Sequence, residues 1–399
     1  MCSSDSYDCL QKGCDSNQCG YCQRASIQAS APEQEDREGL MTSLRGDVWD
    51  WHSSRVVPDS FNGNFPRHVA SGGSLDSRRC GFQEVLHTPP STATDIECGL
   101  EFEEQGWLLA SAGVSKQVRV YSAASILFEN DARPIRVHRS ASKLSSIAWN
   151  TGRRGLVSVG DYDGVVTEID VESGHILFEC DEHSGHRVWS VSYSRMEQGC
   201  MASASEDGTV AIWDHSKRVV TRIRVGDPSA KIPVTGVEIS PWNSHMIGIS
   251  SGDCNAYLYD TRNASRPVHV FRGHRRPASY ARFLDRNTLV TAAIDSSVIA
   301  WNIEREEKEK VFHGHNNDKH FVGLSVRSEG GLISCGSENA EVFCYGMNRN
   351  DSVRMKPSRF EASSQNHFCS AVAWQPFQPG VPVLASAFSD GSLSVFTLD

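Results

Sequence analysis

The chain has 399 residues and a formal net charge of −10, which argues against nucleic acid as its main partner unless the fold concentrates a basic face. Its thirteen cysteines, an odd number scattered along the chain, fit small thiols in a reducing compartment better than a disulfide framework. No stretch approaches the 18 apolar residues of a membrane span and no apolar signal segment opens the chain, so a soluble protein of the nucleus and cytoplasm is expected.

Residues 1–77 are rich in Ser, Asp, Gln and Gly, hold few aliphatic residues and show no sustained period. Such a stretch cannot bury enough apolar surface to offset its ordering entropy and is expected to be a disordered arm. Its Cys2, Cys9, Cys14, Cys19 and Cys22 include one CxxC, but no second pair at finger spacing and no nearby His, so no zinc site is expected.

From residue 78 onward the chain repeats. A bulky residue closes a short strand at Tyr121, Ile169, Trp213, Tyr259, Trp301, Tyr345 and Phe396. Six positions before each stands a turn residue: Ser115, Asp163, Asp207, Asp253, Asp295, Asn339 and Asp390. Apolar-small runs such as Leu108–Gly113, Cys200–Ser205, Leu289–Ala293 and Val383–Ala387 precede the turns. Asp163-Gly164, Asp207-Gly208 and Asp390-Gly391 supply hairpin turns whose positive φ glycine tolerates. Strands at this spacing predict an all-β, seven-bladed WD40 β-propeller over residues 78–399. The seventh unit reaches only its third strand at Asp399, so a segment within 78–88, about Arg79–Thr88, is expected to clasp the ring as the missing outer strand.

His, Ser and Asp recur together as His274, Ser279, Asp295 and Trp301, and as His186, Ser203, Asp207 and Trp213. A nucleophilic triad needs one activated copy with an oxyanion site, whereas a set repeated by blade reads as a hydrogen-bond network of the blade itself. His313, His315 and His320 have no carboxylate or Cys at ligand spacing, and Gly314-His315 occupies the blade's own Gly-His position. No phosphate-cradling Gly-rich motif is present. A non-enzymatic protein without cofactor or metal is expected.

In a propeller, the loops leading into each blade's inner strand and the turns between its second and third strands open on one face around the channel. Lys143, Arg187, Trp189, Arg275, Arg276, Lys319 and Phe321 fall in or beside such loops, and Tyr162 falls in such a turn. Together they predict a basic rim around aromatic surface, suited to an acidic peptide with a short apolar anchor.

Those same segments carry a resemblance. ASAGVSKQVRVY (110–121), SKLSSIAWN (142–150), DYDGVV (161–166), RVWSVSYS (187–194), YDTRNASRPVHVFRGH (259–274) and HFVGLSV (320–326) resemble the WD-repeat domain of the plant constitutive-photomorphogenesis E3 ubiquitin ligase over about residues 98–399. The short arm lacks that ligase's RING finger and coiled coil, so the chain looks like the repressor of UV-B photomorphogenesis (RUP) family, and WDWHSSRVV (49–57) resembles the aromatic segment of RUP arms. The resemblance implies a Val-Pro peptide groove at Lys143, Tyr162, Arg187, Trp189, Arg276, Asp318 and Phe321. The chain departs from the ligase in a loop one residue longer at 181–186, in Arg276 for Lys and in His320 for Asn. Tyr259-Asp260-x-Arg262 matches the box by which some WD-repeat proteins dock the cullin-4 adaptor, which assigns that role to Asp260 and Arg262. Implied partners are the C-terminal tail of the UV-B photoreceptor, the photomorphogenic E3 ligase, the cullin-4 adaptor and bZIP transcription factors, with neither nucleic acid nor membrane among them. Implied function is repression of UV-B signalling by promoting photoreceptor re-dimerisation and competing with the ligase; the alternative is a cullin-4 substrate receptor with other clients. Val57-Pro58, within Arg55–Asp59, itself reads as a docking peptide.

Overall fold

A computed structural model describes residues 82–88, 95–226, 229, 231–350, 352–360, 367–376 and 381–398. The arm, its cysteines and the Val57-Pro58 segment lie outside the described residues. The described strands form seven antiparallel sheets of four, the blades of a propeller. The outermost strand of the last blade is β1 (Phe82–His87). Blade 1 holds β2 (Glu97–Phe102), β3 (Leu108–Gly113), β4 (Gln117–Ser122) and β5 (Arg136–Arg139). Blade 2 holds β6 (Leu144–Trp149), β7 (Leu156–Asp161), β8 (Val166–Asp170) and β9 (Ile176–Cys180). Blade 3 holds β10 (Val188–Tyr193), β11 (Met201–Ser205), β12 (Thr209–Trp213) and β13 (Val219–Arg224). Blade 4 holds β14 (Val234–Ser240), β15 (Asn243–Ser251), β16 (Asn255–Asp260) and β17 (His269–Arg272). Blade 5 holds β18 (Ala278–Phe283), β19 (Thr288–Ala293), β20 (Ser297–Asn302) and β21 (Glu307–Phe312). Blade 6 holds β22 (Leu324–Arg327), β23 (Leu332–Gly336), β24 (Val342–Gly346) and β25 (Ser352–Met355). Blade 7 holds β26 (Cys369–Trp374), β27 (Val383–Phe388) and β28 (Leu393–Leu398), with β1 on its open edge.

Each repeated bulky residue sits in a third strand and pairs with an apolar partner in the second. The pairs are Leu109–Tyr121, Val157–Ile169, Met201–Trp213, Ile247–Tyr259, Leu289–Trp301, Ile333–Tyr345 and Leu384–Phe396. All fourteen side chains are buried. Burying one such side chain stabilises by about 1.5–3 kcal/mol, so the repeat marks where each blade packs on its neighbour. β1 runs antiparallel to β28, Phe82 opposite Leu398 and His87 opposite Ser394, so residues far apart in sequence share one sheet.

Neighbouring inner strands are also bridged around the channel by side chains that accept backbone N–H groups of the next blade. Glu101 accepts from Trp149 at 2.9 Å, Ser192 from Ile239 at 3.2 Å and Ser325 from Trp374 at 3.0 Å, and Glu238 accepts from Phe283. Burial is the largest influence on Glu101 and pushes its carboxyl up to about 7, although the Trp149 N–H it accepts acts the other way.

The recurrent His, Ser and Asp sets are blade networks, but two of their members differ from those expected. In blade 3 the histidine is His183, not His186. His183 hydrogen-bonds Asp207 at 3.0 Å and Ser203 at 2.8 Å, and Ser203 also accepts from the Trp213 indole at 2.9 Å. His186 instead meets the His183 carbonyl. Ser184 and Gly185, both at positive φ, turn the chain between the two histidines, which leaves His183 in the network position. In blade 5 the hydroxyl is Thr291 on β19, not Ser279. Thr291 bonds His274 at 2.7 Å and the Trp301 indole at 2.8 Å, while Ser279 donates to the Ala292 carbonyl.

Candidate functional site

A cavity of about 310 Å³ opens at the channel mouth and is lined by residues of the inner strands and the loops leading into them. Tyr162, Arg187, Trp189 and Phe321 from the expected set all line it. Trp189, on β10, and Phe321, just before β22, meet edge to face with ring centroids 4.8 Å apart, although they come from blades 3 and 6. Tyr280 on β18 packs edge to face on Phe321 at 6.0 Å. The Arg187 guanidinium lies 3.7 Å from the Tyr162 ring centroid and 4.5 Å from that of Trp189. The two ring faces attract the guanidinium, and among the described residues Arg187 enters no ion pair, so its charge stays available to an acidic ligand.

The remaining expected residues divide. Lys143 is exposed, and its carbonyl accepts the Tyr162 N–H at 2.9 Å, so it stands on the loop beside the site. Arg276 and Asp318 pair with each other across blades 5 and 6. Part of the Arg276 charge is therefore met within the protein, and both residues stay partly exposed at the rim. Lys319 and His320 line the cavity, and the His320 ring stacks on Phe368 with centroids 4.3 Å apart and planes 10° from parallel.

Sequence reasoning missed Glu338. Its carboxylate accepts three consecutive backbone N–H groups, from Asp318 at 3.1 Å, Lys319 at 2.6 Å and His320 at 2.8 Å. That fan of bonds fixes the loop that presents Lys319, His320 and Phe321. The available signal was its place just before the repeated turn residue Asn339. Gly323 completes the loop at φ +77°, where an added Cβ would come within 2.7 Å of the Val372 backbone nitrogen. Only glycine fits that approach between blades 6 and 7. The lining offers aromatic walls and cations, and its thiol, Cys98, is pushed up to about 12 chiefly by burial.

Away from the mouth, Asp260 caps the turn after β16, accepting the Arg262 N–H at 2.9 Å, and its carboxylate takes a bidentate bond from the Arg262 guanidinium. This pairing holds the Asp260 carboxyl down to about 2. His313, His315 and His320 do not converge: His315 is buried and hydrogen-bonds the Tyr345 hydroxyl at 2.9 Å, while His320 lies on Phe368.

Comparison with known proteins matches residues 174–214 to the WD domain, G-beta repeat family. The chain is 36% identical over 322 residues to the WD repeat-containing protein RUP1 of Arabidopsis thaliana, covering 77% of this chain and 82% of that protein. It is 35% identical over 326 residues to RUP2 of the same plant, covering 76% of this chain and 88% of that protein. It is 34% identical over 325 residues to the E3 ubiquitin-protein ligase COP1 of Pisum sativum, covering 79% of this chain but 47% of the ligase. Sequence likeness across most of both chains, together with the seven-bladed fold and its protein-interaction architecture, shows that this chain belongs to the RUP family of WD-repeat proteins.

Proposed function

We propose that the protein is a non-enzymatic regulator whose channel mouth binds Val-Pro peptide segments with acidic flanks. The observation that carries this reading is the grouping of Arg187, Tyr162, Trp189 and Phe321, drawn from blades 2, 3 and 6, on one cavity. A Val-Pro pair would pack on Trp189 and Phe321, while Arg187 and Lys143 would meet the flanking carboxylates. Its client would be the C-terminal tail of a UV-B photoreceptor, met in the nucleus and cytoplasm. Holding two photoreceptor protomers close would speed their re-pairing without bond chemistry, and occupying the tail would exclude the photomorphogenic ligase.

A second reading, docking to a cullin-4 adaptor, is favoured by the exposed Arg262 held in a fixed bidentate pair with Asp260 at the end of β16. Its clients could include bZIP factors. Co-purification with the adaptor that is lost in Arg262→Ala would support this reading.

The groove is tested by titrating the photoreceptor tail peptide onto wild type, Trp189→Ala and Lys143→Glu. Both variants should bind at least tenfold more weakly, since each removes a central aromatic anchor or reverses a rim charge. Unchanged affinity in both would remove the assignment.

A further inference from the structure

The cavity does not end at its aromatic mouth. Tyr280 and Arg282 lie on the same inner strand, β18, and both line the cavity. Two strand residues span roughly 7 Å, so Arg282 sits a full layer deeper in the channel than Tyr280. Its guanidinium is 6.0 Å from the Tyr280 ring, which in turn packs on Phe321. A column of aromatic and guanidinium groups thus runs from the rim to the interior.

The charge on this lining has one sign. Arg187, Arg282 and Lys319 line the cavity together with His320, and among the described residues no Asp or Glu does, on a chain whose total charge is −10. Among the described residues Arg282 donates to the neighbouring Ala281 carbonyl at 3.1 Å and enters no ion pair. The carboxylates that act on it electrostatically, Glu101 and Glu238, stand outside the lining and are engaged by the Trp149 and Phe283 N–H groups. Burial raises the pKa of both, while the Arg282 charge acts the other way on each. A half-buried guanidinium whose hydrogen bond among the described residues goes to a single carbonyl keeps N–H groups for a bidentate, charge-assisted contact.

We propose that the channel layer at Arg282 is an anion site, reached through the aromatic mouth, that receives a carboxylate or phosphate group. The anion is either the acidic side chain of a residue beside the groove-bound anchor or a free small anion. In its peptide form the proposal rests on the groove reading; in its free-anion form it does not. A cavity of about 310 Å³ has room for one such group beside an anchoring side chain.

Two arms test it on the full chain. In the first, inorganic phosphate is titrated at constant ionic strength against chloride, with thermal midpoint and phosphorus line width as readouts. In the second, two Val-Pro peptides that differ only in Glu or Gln beside the anchor are titrated onto wild type, Arg282→Gln and Arg282→Lys. A saturable phosphate effect in wild type that is absent in Arg282→Gln establishes a free-anion site. A preference of about tenfold for the Glu peptide, lost in Arg282→Gln and largely kept in Arg282→Lys, establishes the peptide form. If wild type neither responds to phosphate nor distinguishes the peptides, the proposal is overturned, whether or not the variants fold. If neither peptide binds wild type at all, the groove reading fails and the phosphate arm alone decides the channel site.

Discussion

His315 shows how one blade residue carries two opposed demands. It occupies the Gly-His position that the repeat calls for, and its ring is buried beside Tyr345. Burial, with a smaller push from His313, lowers its pKa to about 4. The unfolded chain would take up a proton there near the ordinary value of about 6.5, whereas the folded chain resists it. Between those two values the unfolded state therefore binds more protons, and stability falls as pH drops from about 6.5 toward 4. The contribution reaches about 3 kcal/mol when the full window is crossed. Replacing His315 with Gln removes this term. Denaturant unfolding should show the stability of wild type falling relative to His315→Gln by about 2–3 kcal/mol between pH 7.5 and pH 4.5. A constant difference between the two proteins across that range would mean that His315 charges in the folded state. At this scale the sequence was only partly legible. It placed Tyr162, Arg187, Trp189 and Phe321 on one face, because loop positions follow from strand order. It could not place the Arg276–Asp318 pair or the Glu338 fan, because these depend on how far loops reach across blades.

The elements themselves were far easier to read, and the turns show where that ease stops. The second-to-third strand turn needs a left-handed residue in every blade. Gly164, Gly208 and Gly391 fill it in three blades and were visible as Asp-Gly pairs, while Lys116, Cys254, Ser296 and Ala340 fill it in the other four at φ of 58–71°. A sequence scan for glycine misses those four, yet the third strands that follow them still disclose the blade. Asp side chains explain part of the tolerance: Asp207, Asp253, Asp295 and Asp390 each accept the N–H two residues on, which holds the turn whatever follows the Asp. The strain at a non-glycine residue remains, and left-handed backbone costs an L-residue about 1–2 kcal/mol. Cys254 gives the clearest test, because Ser296 bonds the Asn317 backbone, Lys116 bonds the Ala141 carbonyl and Ala340 packs in a core cluster. Cys254→Gly should raise stability by about 1 kcal/mol once the greater freedom of the unfolded glycine chain is deducted. Chemical unfolding measures it, and a loss of stability would show that the Cys254 side chain makes a contact of greater worth than the strain. Loop conformation defeats the same reading: the turn at Ser184 and Gly185 leaves His183, three positions before His186, in the network, while the strands on either side keep their places.

At the scale of the whole molecule, two electrostatic effects oppose each other. The chain carries −10 overall, whereas the cavity is lined by Arg187, Arg282 and Lys319. Their ranges differ. The total charge acts through solvent over the screening length, roughly 30 Å at 0.01 M salt and roughly 10 Å at 0.1 M. The lining cations act at contact, in a partly desolvated site where salt screens weakly. An acidic peptide approaching from bulk therefore feels repulsion first and attraction last. Encounter is governed by the long-range field and escape by the contacts, so the two rate constants respond to salt through different charges. Raising salt from 0.01 to 0.1 M should increase the association rate, because it shortens the reach of the repulsion. The dissociation rate should also rise, because the contact attraction is trimmed slightly. The equilibrium constant then moves by less than about threefold over a tenfold change in salt, unlike the steep dependence of a site steered by its own field. Stopped-flow binding of the tail peptide at several salt concentrations separates the two. An association rate that falls as salt rises would show that the basic mouth projects its field past the acidic body, and that the ligand is steered to it from a distance.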